Sequence, residues 1–310
     1  MKTAQFGCFC AGIVTAAAQP ALVSTSAVAV AGFEGGGERT RYAVAAARLP
    51  CPVTWNVQFE PFPEQLSDLV ARASSFLDHA RQLGGTHTAT RFNLDDIQIK
   101  RIELSAQQLR AIGKDETAFT NQWFTAVTFY GADPVDLTSA QPVCYKHVVM
   151  LLDGTSATEE EDPFPRPKWS VTNLPAAESI SNTFTRSRFR SSAQDTEPYG
   201  KLSRADFPIA RVQWDPFDEA FPLDLRAQAP RAEEYLMSVG DIPQRLTLFE
   251  IRLWRYVPVE ALKAANKPMT EHLHHWEAVF WFRDERHREY DVHMLLDGTI
   301  LRRSNASPRG

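Results

Sequence analysis

Six consecutive residues occur twice in this chain of 310: Met150-Leu151-Leu152-Asp153-Gly154-Thr155 and Met294-Leu295-Leu296-Asp297-Gly298-Thr299. Each run closes an apolar stretch with an Asp-Gly pair, the pattern of a strand ending in a turn whose glycine supplies a positive φ. An identical hexapeptide in one local context points to two copies of one module. A chain so built folds one small unit twice, and Asp153 and Asp297 are read as turn formers ahead of ligands or acids.

The likeness extends upstream. Val57-Gln58-Phe59-Glu60-Pro61-Phe62-Pro63-Glu64 aligns with Val212-Gln213-Trp214-Asp215-Pro216-Phe217-Asp218-Glu219 at an offset of 155. Ile97 to Ile102 then lies opposite Phe249 to Trp254, and Ala126 to Phe129 opposite Ala278 to Trp281, both at 152. Between the last two strands the first module carries eight extra residues, in the turn-rich stretch from Gly131 to Pro142.

Within a module, Leu66, Leu69, Val70, Ala73, Phe76, Leu77, Ala80 and Leu83 recur at helical spacing, and Gly84-Gly85 ends them. The second module's helix is expected to be shorter or bent, with Pro230 in its first turn. Ile97 and Ile99, like Phe249, Ile251 and Leu253, alternate with polar residues as strands do. Short helices are predicted over Ala106 to Ile112 and Val259 to Ala265. Hairpins follow, over Phe124 to Tyr130 with Tyr145 to Leu152, and over Trp276 to Phe282 with Tyr290 to Leu296. The fold class is α+β: two tandem copies of a helix on an antiparallel sheet, packed as a pseudo-symmetric pair. That packing explains Val279-Phe280-Trp281-Phe282, four apolar residues without alternation, as a strand buried on both faces.

Residues 1–31 read as an export signal: Lys2 is the sole charge before Glu34, and Phe6 to Ala18 is apolar but too short for an ordinary spanning helix. The first module is placed at 48–155, a Pro-, Ser- and Arg-rich linker at 156–205, and the second module at 206–302. The protein is expected to be exported, periplasmic or extracellular, and soluble after cleavage. Cys51 and Cys144 remain after cleavage and are expected to pair as a disulfide, the alternative being two separate buried thiols. A net charge of -5 gives no global basic field, so nucleic acid is not expected as a partner.

The segments Tyr145 to Thr155 and Tyr290 to Thr299, in tandem behind a signal, resemble exported PepSY-type modules and, more broadly, cystatin-like folds. The resemblance implies a binding or inhibitory module rather than an enzyme, although no Gln-x-Val-x-Gly inhibitory loop is present.

Chemistry is signalled in one place. Five of the eight histidines are His272, His274, His275, His287 and His293. Of these, His272, His274 and His293 could converge on zinc or copper, which favour imidazole, although no HExxH or paired CxxC is present. No GxSxG elbow or phosphate-binding loop occurs. The leading expectation is an exported non-enzymatic protein binding a macromolecule or small ligand at the inter-module cleft, with no cofactor. A periplasmic metal-binding protein using these histidines is one alternative; a hydrolase assembled from scattered residues is the other.

Overall fold

The computed structural model describes residues 21–22, 38–49, 53–82, 91–115, 119, 121–132, 142–143, 145–161, 166–167, 207–239, 245–256, 258–267 and 275–302. Helix α1 (Glu38–Arg48) and the short strand β2 (Val53–Thr54) precede α2 (Leu66–Gln82), β3 (Arg91–Arg101), α3 (Ala106–Ala111), β4 (Gln122–Ala132) and β6 (Tyr145–Leu151). The second half follows with α4 (Leu225–Val239), β9 (Thr247–Arg255), α5 (Val259–Ala264), β10 (Trp276–Arg283) and β11 (Glu289–Leu295). The expected α+β class is present, as helices on an antiparallel sheet.

The halves do not stack sheet on sheet. They share one sheet of nine strands, ordered β1-β7-β6-β4-β3-β9-β10-β11, with β2 beside β4; β1 is Ala21–Leu22 and β7 is Ser156–Glu161. The joint is the antiparallel pair β3 and β9, so each half closes the open edge of the other. A further two-stranded piece pairs β5 (Pro142–Val143) with β8 (Arg166–Pro167).

Helices α2 and α4 cover the back of this sheet. One apolar cluster runs beneath both, from Leu69, Phe76 and Ile99 to Ile251, Phe280 and Leu236. The predicted face of α2 is the buried one: Leu66, Leu69, Val70, Ala73, Phe76 and Leu77 are all inside. In α4 the proline expectation needs correcting. Asp224 caps the helix by accepting from the amides of Arg226 and Ala227, which places Pro230 well inside rather than in the first turn. The helix continues because its buried Ala229, Ala232 and Leu236 hold it to the sheet, offsetting the lost bond.

The repeated phrases are turns. Asp153 Oδ1 accepts from the Thr155 amide at 3.0 Å and Asp297 Oδ1 from the Thr299 amide at 2.9 Å, while Gly154 and Gly298 take φ of 65° and 82°. The first turn opens into β7, Met150 pairing with Ala157; the second returns only as far as a bridge between Met294 and Ile300. Ser156 to Glu161, assigned by sequence to the linker, is therefore a strand, with Ala157 fully buried.

The upstream alignment also changes. Trp55 Nε1 donates to the Glu60 carbonyl and Trp214 Nε1 to the Glu219 carbonyl, while the amides of Asn56 and Asp215 bond the carboxylates of the same two glutamates. Trp55 meets Phe62 and Trp123 edge-on, as Trp214 meets Phe221 and Trp276. The two tryptophans that share these contacts, Trp55 and Trp214, lie 159 positions apart. Downstream, the amide of Ile102 bonds the Gln122 carbonyl as that of Tyr256 bonds His275, which sets β3 and β9 154 apart and β4 and β10 153 apart.

Candidate functional site

Polar residues on the front of the central strands owe their position to two bulges. In β3 the ladder slips between Leu94 and Asp96, and in β9 Leu248 and Glu250 are likewise paired to consecutive residues of β10. The extra residues are Asp95 in β3 and Phe249 in β9. A bulge re-aims the side chains beyond it, so Leu94 and Leu248 pack toward the back while Asp96 and Glu250 turn to the front.

Across the joint the register sets Gln98 opposite Arg252, Lys100 opposite Glu250 and Asp96 opposite Trp254. All six are buried. Arg252 Nη2 lies 3.2 Å from Asp96, Lys100 Nζ lies 3.5 Å from Glu250, and the Gln98 amide donates to both Asp96 oxygens. Arg252 also stacks 4.8 Å from the Trp254 ring. Two acids and two cations balance, as buried charge requires. In the next strands Thr128 Oγ1 meets His147 Nδ1 at 3.1 Å, and the His147 ring packs 5.0 Å from Tyr42 of α1.

Helix α1 roofs the first half of this front. Its alanines 43, 45, 46 and 47 lie against Phe124, Ala126 and Val149, small side chains that let the helix approach closely. Beside its Ala43 a groove of about 680 Å³ opens at the joint. The Lys100–Glu250 pair lies along it, Leu104 and Leu109 of the first half supply apolar wall, and Phe249 and Arg283 come from the second. Arg283 lies 4.2 Å over the Phe249 ring and bonds Glu103 at 2.6 Å and Glu289 at 3.0 Å, a link between the halves at the groove's rim.

The second half has its own polar cluster. His293 Nδ1 is 2.7 Å from Glu277 and Nε2 is 2.8 Å from Asp291. Burial alone would lower its pKa, but the charge and hydrogen bond of Glu277, with those of Asp291, hold it up at about 9. The ring is therefore an imidazolium donating from both nitrogens. Beside it, burial and the Glu277 charge push the Tyr256 phenol far above its ordinary value, and its hydroxyl donates to the Pro208 carbonyl. At the β10–β11 turn, hydrogen bonds from Arg288, Tyr290 and the Arg286 amide outweigh burial and keep the Asp284 carboxyl low.

Of the three histidines assigned to metal, His272 and His274 lie outside the described residues. His293 offers no lone pair while both nitrogens face carboxylates, and among the described residues no three metal-type side chains are grouped to hold an ion. Cys51 and Cys144 also lie outside the described residues. Sequence reading missed Asp96, Lys100, Glu250 and Arg252, because their alternation with apolar neighbours looked like a solvated strand face. It missed α1 as well, where the alanine run Ala45-Ala46-Ala47 was the available signal. Comparison with protein-family models, curated proteins and solved structures finds no match.

Proposed function

We propose that this is an exported, non-enzymatic binding protein, made of two copies of one α+β module joined edge to edge, that holds a small ligand in the groove at the joint. The copying is supported by paired contacts that sequence drift would not produce twice: the Trp-to-carbonyl bonds, the matching bulges at Asp95 and Phe249, and a register that sets Gln98 against its own counterpart Arg252. The observation that carries the binding reading is the groove itself, about 680 Å³ and walled from both halves, a size in the range of small-molecule sites. Lys100 with Glu250, and Arg283 with Glu103 and Glu289, are tied into pairs along it, an arrangement that holds shape rather than one that moves protons.

The test is a thermal-shift screen of small metabolites against the wild type and Leu104→Trp, whose indole fills the groove. Ligands of this site raise the wild-type melting temperature and leave the variant's unchanged. Equal shifts in both proteins, with the variant's circular dichroism intact, would place binding elsewhere and end this reading.

A further inference from the structure

We infer that the groove's ligand is an amphiphile with an oxyanion head, a carboxylate in the first instance, taken up by Arg101; this rests on the reading of the groove as a ligand site. The groove is lined by three basic side chains, Lys100, Arg101 and Arg283. Two of them are committed to acids of the protein: Lys100 to Glu250, and Arg283 to Glu103 and Glu289. Arg101 differs. Among the described residues its guanidinium meets only the Asn121 side-chain oxygen at 2.9 Å, a neutral acceptor.

A guanidinium offers five N–H donors in a planar fork, so one amide oxygen leaves most of that fork open. The partner that matches it is a carboxylate or phosphate, which takes two parallel bonds. Asn121 holds the guanidinium from a fixed point, since its own backbone sits at a φ of 56° in the turn before β4 and its carbonyl bonds the Trp55 amide. The cation is thereby kept in place without being neutralised. His287, exposed in a left-handed turn position, also lines the groove.

The rest of the lining fixes the other end of the ligand. Ile102, Leu104, Leu109 and Phe119 belong to or pack against the apolar cluster under α1, and Ala43 closes the roof. Ile102, Leu109, Phe119 and Ala43 are already buried, so the apolar surface left for a ligand is mainly that of the part-exposed Leu104, which an alkyl or aromatic body would cover and a fully polar anion would desolvate for nothing. An apolar tail under α1 and an oxyanion at Arg101 satisfy both halves of the lining together.

Isothermal titration with dodecanoate, dodecyl phosphate, dodecanol and dodecylamine tests this in the full-length protein. Dodecanoate binds, and binds roughly 10- to 100-fold more tightly than dodecanol, the factor expected for a charge-assisted hydrogen-bond pair. Arg101→Met removes that preference and leaves dodecanol affinity alone, while Arg101→Lys keeps part of it. Tighter binding of dodecyl phosphate would identify a phosphate head and sustain the oxyanion inference. Equal affinity for alcohol and carboxylate, preference for the amine, no dodecanoate binding, or no effect of Arg101→Met would overturn it. If dodecanoate fails while other compounds bind in a Leu104-dependent way, the oxyanion assignment falls and the groove remains a ligand site; if nothing depends on Leu104, both fall.

Discussion

Changing Arg252 to Met tests whether the charged layer at the joint fixes the fold or is a replaceable filler. Arg252 and Asp96 have side chains 6% and 2% exposed and lie 3.2 Å apart. Met keeps most of the aliphatic stem, so the variant removes chiefly the guanidinium, with its ion pair to Asp96 and its stack on Trp254. Asp96 is then deprived of its cation in a layer where water cannot replace it. Removing one member of a buried pair typically costs about 3 to 5 kcal/mol, whereas replacing both by apolar residues is often neutral or stabilising. Arg252→Met is therefore expected to lower unfolding stability by about 3 kcal/mol or more, and adding Asp96→Leu to restore most of the loss. Urea denaturation followed by tryptophan fluorescence measures both, with the slope checked for constancy. A single-variant loss below about 1 kcal/mol, the range of exposed pairs, would refute the buried-pair reasoning. So would a double variant less stable than the sum of the two single changes.

Two further outcomes follow from the geometry. His293 has its pKa raised from 6.5 to about 9, so the stability it confers is fully present below about pH 6.5 and disappears as pH rises through 9. Stability should fall by about 2 to 3 kcal/mol between those limits, and His293→Gln should flatten that part of the profile; an unchanged slope in the variant would place the effect elsewhere. Gly154→Ala should destabilise more than Gly298→Ala. Both need positive φ, but a Cβ at 154 would sit 2.9 Å from Leu69 Cδ2, while at 298 the nearest atom is the mobile Arg231 Nη1 at 3.2 Å. A loss of about 2 kcal/mol against about 1 is expected from melting curves, and equal losses would mean that α2 gives way freely.

The apolar periodicities of α2 and β11 determined which residues these elements bury, because a helix or strand with one apolar stripe has one way to face a core, and the unbroken apolar run of β10 marked a strand buried on both faces. Asp153-Gly154 and Asp297-Gly298 were legible as turns for an equally local reason: glycine reaches the backbone angle and the aspartate bonds the amide two residues on. Local pattern stopped short at Asp96, Lys100, Glu250 and Arg252. Alternation reveals that a strand has two unlike faces, but not whether water or another element meets the polar one. That was decided by α1 lying over the front and by β3 finding β9, a pairing between residues 150 to 158 positions apart. Two bulges of one residue each then set which side chains point where, and neither leaves a mark in composition. Arg101 shows the same division: its letter and its strand are plain in the sequence, while the neutral Asn121 oxygen that it meets among the described residues belongs to the tertiary structure alone, since only folding chooses which charges meet.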